Sequence, residues 1–177
     1  MLKHRSSVIE SLLHRRGQMS TTAIVFLVLG DFNQPWTAAN NQITFRIVVP
    51  GYLNPNVDPA TFTVGGLGAA HYAGNSQLLK ANENATISQI TDGTSNTILA
   101  GEVSGGFMAW GDPENRRDPA LGFGTAPNQF GGPAASRPGV MMLLCDGSVR
   151  FISNDVDPTE LKNLADPKDR SGQAISF

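Results

Sequence analysis

Apolar and polar residues trade places over short distances along this chain, and few stretches hold one pattern long enough for a long helix. The clearest signal lies at 140–153. Val140, Met141, Met142, Leu143, Leu144 and Cys145 form an apolar run, Asp146-Gly147 is the residue pair of a tight type I′ turn, and 148–153 reads as the return strand. Both central residues of such a turn need positive φ, which Asp tolerates and Gly adopts freely. In the return strand Val149 and Phe151 share one face, opposite Arg150 and Ile152. A short amphipathic helix is predicted over 157–165, with Asp157 as its cap and Leu161 and Leu164 inward. Upstream, Ile98 and Leu99 mark a strand within 94–103, Asp92-Gly93 turns the chain before it, and 85–90 holds a single helical turn. Residues 43–49 alternate loosely and predict another strand ahead of Pro50. The remainder of 31–60 and of 104–135 is punctuated by Asn, Gly and Pro and reads as loops.

The first 30 residues carry a different pattern. Val8, Ile9, Leu12 and Leu13 fall on one face of a short helix over 7–16, ended by Gly17. An unbroken apolar run of seven follows at 23–29, closed by Asp31 and Asn33. A bilayer crossing needs about 20 such residues, so no membrane span is expected, and the β-branched and aromatic content favours a buried strand. Arg15-Arg16-Gly17 ahead of an apolar stretch faintly resembles a prepilin leader. However, Thr22 stands where such leaders carry glutamate, and the long hydrophobic helix is missing. The expected organisation is a variable or frayed segment at 1–22, a globular domain at 23–165 and a flexible tail at 166–177. The 177 residues suffice for one domain with a real core. The fold class expected is α+β, an antiparallel sheet with short helices and long loops.

Composition narrows the function classes. A formal net charge of −2 with 16% charged residues gives no field for nucleic acid. Lys3, Arg5, Arg15 and Arg16 cluster without interleaved aromatics and read as a solvated terminus. Cys145 is the single cysteine, so no internal disulfide forms, and no CxxC or HExxH spacing accompanies His4, His14 and His71. No cofactor is expected. Gly65-Gly66-Leu67-Gly68 lacks the lysine of a phosphate loop and reads as a flexible loop that lets backbones pack closely.

Catalytic arrangements are poorly supported. Ser95, His71 and Asp92 supply the residue types of a hydrolase triad, but there is no nucleophile elbow, and Ser95 sits in a Thr-Ser-Asn run that bonds its own backbone. His71-Tyr72 is expected to pack against the sheet, the imidazole held by a loop carbonyl. Glu102, at a strand end, reads as a buried acid satisfying loop amides, or as half of an ion pair with Arg116 or Arg117. Asp112, Glu114 and Asp118 offer oxygens of the kind Ca²⁺ takes, yet spaced by proline and arginines they read better as a solvated loop.

Several segments together resemble a large bacterial family of unknown function, typical of planctomycetes and labelled solute-binding-like. They are Asp31-Phe-Asn-Gln-Pro-Trp36 with Asn40, Pro50-Gly-Tyr-Leu-Asn-Pro55, His71-Tyr-Ala-Gly-Asn75, and 90–102 with Asp92, Gly93, Asn96 and Glu102. Residues 115–122, Phe130-Gly-Gly132 and 144–152 with Asp146 and Gly147 complete the set. The resemblance spans about Asp31 to Ala165. It implies a pilin-like domain whose usual members begin with a prepilin-type helix, missing here. It also implies an extracytoplasmic or cell-surface location and, as partners, other pilin-like or secretion-system subunits. The family's C-terminal signature places a histidine ten residues before Asp-Gly; Ser136 stands there in this chain. A structural, non-enzymatic purpose follows for the motif residues. The rival expectation is an extracellular module for glycans or other solutes, with Trp36, Tyr72 and Trp110 lining one cleft.

Overall fold

A computed structural model describes residues 31, 33–80, 83–133 and 138–168. The helix predicted at 7–16, the strand at 23–29 and Ser136 lie outside the described residues.

Among the described residues, two short helices and two mostly antiparallel sheets make up the fold. Helix α1 spans Ala39–Phe45. Strands β1 (Thr63–Val64), β2 (Leu67–Ala70) and β3 (Tyr72–Asn75) follow, then β4 (Ile98–Glu102), β5 (Met108–Ala109), β6 (Arg116–Arg117), β7 (Gly139–Leu144) and β8 (Val149–Ser153). Helix α2 (Pro158–Ala165) comes last. The small sheet has the order β1-β2-β5 and the large one β6-β3-β4-β7-β8. Only the β3–β6 pair is parallel among these. A single residue, His71, separates β2 from β3, so one extended segment passes from the first sheet into the second.

The β7–β8 hairpin places Val140, Met142 and Leu144 inward, as period-two alternation requires, with Ile152 opposite Val140. Val149 and Phe151 share the outer face at 58% and 43% exposure, paired with Leu143 and Met141. The turn differs from the expected two-residue form. The Gly147 N–H donates to the Leu144 carbonyl, so Cys145 and Asp146 are the central residues, and Gly147 (φ 88°) follows as a left-handed bulge residue. Three-residue loops of this kind are a common hairpin connection, and the Asp146 carboxylate accepts from the Ser148 N–H.

Helix α2 begins where expected. Asp157 accepts from the Thr159 and Glu160 amides, Pro158 occupies the first turn, and Leu161 and Leu164 enter the core with Ile98, Val103, Phe130, Val140, Met142, Leu144 and Ile152. Burying each such leucine is worth about 1.5–3 kcal/mol. Gly101 lets this core close: a Cβ there would collide with the Met142 sulfur and the Phe130 ring.

Two expectations are corrected. The strand predicted over 43–49 is replaced in its first half by α1, whose inward residues are the polar Asn41 and Thr44 while Ile43 faces solvent at 67% exposure. The Asn41 amide explains the reversal. It donates to the Asp31 and Pro35 carbonyls and accepts from the Asp31 N–H, clamping the preceding loop onto the helix. The glycine cluster is no loose loop either. Gly65 and Gly66, both with positive φ, form the two-residue turn of the β1–β2 hairpin, and Gly68 passes so close to the Ile47 carbonyl that a Cβ would not fit. Its close backbone packing was correctly anticipated.

Candidate functional site

The motif residues gather at two ends of β4. At one end, Asp92 to Thr97 form a self-bonded turn. Gly93 takes φ 100°, the Asn96 side chain donates to the Asp92 carbonyl, and the Thr97 hydroxyl donates to the Gly93 carbonyl. Carbonyls of this same turn receive the hairpin tip, Thr94 from the Asp146 N–H and Thr97 from the Cys145 N–H, each at 2.9 Å. Beyond α2, the Pro167 carbonyl accepts from the Thr91 and Asp92 amides. These bonds tie the tip of the β7–β8 hairpin and the segment after α2 to the turn that starts β4.

His71 and Glu102 lie at the other end of β4 and are linked through Asn54. His71 is fully buried between the rings of Phe107 (centroids 4.4 Å apart) and Phe62 (5.8 Å). Its Nδ1 accepts from the Asn54 N–H at 3.1 Å, which makes Nε2 the donor toward the Thr61 carbonyl at 3.2 Å. The Asn54 side chain donates to Glu102 Oε1 at 2.9 Å, and the Met141 N–H donates to Oε2 at 2.9 Å. This is the loop-held imidazole and amide-satisfying acid that the residues suggested. Neither Arg116 nor Arg117 pairs with Glu102: Arg116 meets Glu114 at 2.6 Å, and Arg117 donates to the Gly105 and Gly106 carbonyls. Asn54, Thr61, Phe62 and Phe107 were not foreseen; only Asn54 lay inside a quoted motif.

The network is buried and holds the loop that carries Asn54. Asn54 is 3% and Glu102 5% exposed, and the turn carrying Asp92 and the exposed Ser95 belongs to the opposite end of β4.

The three aromatic residues divide. Trp36 and Trp110 meet around Phe45, with centroid distances of 6.2 and 4.7 Å and edge-to-face geometry, and Tyr52 lies 6.0 Å from Trp110. The Trp110 indole N–H donates to the Ile47 carbonyl. Tyr72 stands apart, opposite Glu102 in the β3–β4 pair. Burial, then the Glu102 charge, raises the Tyr72 hydroxyl pKa, and burial alone raises that of Tyr52. The signal for Phe45 and Tyr52 was absent from any spacing, since they reach Trp110 through tertiary packing.

Asp112, Glu114 and Asp118 have structural duties. Asp112 accepts from the Glu114 N–H, Glu114 pairs with Arg116, and Asp118 caps the turn at Pro119–Leu121 and accepts from Gln77. Among the described residues no group of three or more His, Cys, Asp or Glu is arranged to hold a metal ion. Nor is any helix there long and apolar enough to cross a membrane. Comparison with protein-family models, with curated proteins and with solved structures finds no match to this chain.

Proposed function

We propose that the chain is a non-catalytic, pilin-like structural module, displayed outside the cytoplasmic membrane and acting by assembly with pilin-like or secretion-system subunits. The resemblance set out above supplies the partner class and the location. The observation that supports a structural role is the buried His71–Asn54–Glu102 network, whose polar atoms grip the loop after Pro50 instead of facing solvent. Fractionation of the native host with an antibody to the chain, followed by cross-linking in intact cells, tests this reading. Recovery outside the cytoplasm, cross-linked to a pilin-like subunit, is the expected result. A cytoplasmic chain with no such adduct would refute it.

A second reading is favoured by the Trp36–Phe45–Trp110–Tyr52 grouping, an aromatic surface of the kind sugar rings stack on. Affinity electrophoresis in soluble polysaccharides separates the two. Retardation that disappears in both W36A and W110A supports a glycan module, and equal migration with and without polysaccharide removes it.

A further inference from the structure

Three polar side-chain atoms among the described residues are buried without a hydrogen-bond partner: Asn115 Oδ1, Arg116 Nε and Arg117 Nε. All belong to three successive residues at the edge strand β6. Arg116 is otherwise provided for, with Glu114 and the Leu79 carbonyl at its terminal nitrogens. Arg117 is not. It is 6% exposed, and its guanidinium meets only carbonyl oxygens, Gly106 at 2.7 Å and Gly105 at 3.4 Å, both through Nη2. The neighbouring acids are engaged elsewhere, Glu114 by Arg116 and Asp118 by Gln77 and the Ala120 amide. Desolvation lowers the Arg117 pKa, and no anionic neighbour offsets it. Arginine nonetheless stays charged in proteins.

A buried cation that meets only neutral dipoles is a costly arrangement, because carbonyls orient the group without cancelling its charge. We infer that Arg117, presented beneath the Gly105-Gly106 loop, is a binding position for a single carboxylate group. The planar guanidinium matches two coplanar oxygens. With so little of the side chain at the surface, a flat carboxylate suits it better than a tetrahedral phosphate. The carboxylate has two sources, a small free acid or an acidic side chain of a protein.

The test is the Arg117 Nε–Hε cross-peak, assigned by triple-resonance NMR on the intact chain. Titration with sodium acetate is compared with sodium chloride and sodium phosphate at matched ionic strength, and thermal midpoints are measured in parallel on wild type and R117K. Acetate should move the peak saturably while chloride leaves it in place, and the acetate-dependent rise in midpoint should be lost in R117K. N-acetyl-glutamate amide distinguishes the sources. Its exclusion assigns the position to a small free acid, and its binding to a side-chain carboxylate. The inference is overturned if acetate and chloride shift the peak alike, if neither shifts it, or if phosphate alone does. The peak measurement needs no variant, so misfolding of R117K leaves it decisive.

Discussion

At the scale of single residues, buried polar groups carry most of the specification. Asn54 joins a histidine to a carboxylate inside the protein, so Asn54→Ala removes a buried hydrogen bond to Glu102 Oε1. The expected loss is about 1–3 kcal/mol, read as a lower urea midpoint at unchanged slope. Loss of less than a tenth of that would mean the network is ornamental. Cys145 gives a second expectation. Burial first, then the Asp146 charge, pushes its thiol up to about 12, so the reactive thiolate is scarce at pH 8. Alkylation of the native chain at that pH should be much slower than that of the urea-unfolded chain. Equal rates would contradict the environment described. Little of this was visible beforehand. His71 and Glu102 stood out as unusual residue types, but the residue connecting them is 17 positions from one and 48 from the other. Such distances leave no local pattern.

Elements were legible where local signals and burial agreed. The β7–β8 hairpin and α2 each combine turn or cap chemistry with a matching apolar period, and both were readable in advance. Helix α1 escaped because its buried side is Asn41 and Thr44 and its exposed side is Ile43, the reverse of an amphipathic pattern. A cap also sets a pH dependence. Hydrogen bonds from the Thr159 and Glu160 amides depress the Asp157 carboxyl below its ordinary value. A carboxyl with a lowered folded-state pKa contributes stability above its unfolded pKa, and that contribution fades as pH falls through the folded value. Denaturation midpoints of wild type and D157A should therefore differ at pH 6 and converge below the usual aspartate range. A difference that persists undiminished into strong acid would assign the effect to something other than the ionised cap.

For the molecule as a whole, the α+β class followed from short apolar runs and abundant turn residues, while the division into two sheets, of three and five strands, did not. Strands of two residues, such as β1, β5 and β6, exist only because partners align them, and no window of sequence that short carries a periodic signal. The passage of one extended segment from the small sheet to the large one has a mechanical result. At the junction His71 donates its N–H to the Tyr52 carbonyl and its own carbonyl accepts from the Val103 N–H, so the two sheets are expected to open together. Amide protons of Ala69 and Ala73 should exchange with deuterium at one shared rate, that of global opening. Two well-separated rates would show that the junction bends like a hinge instead of transmitting the load.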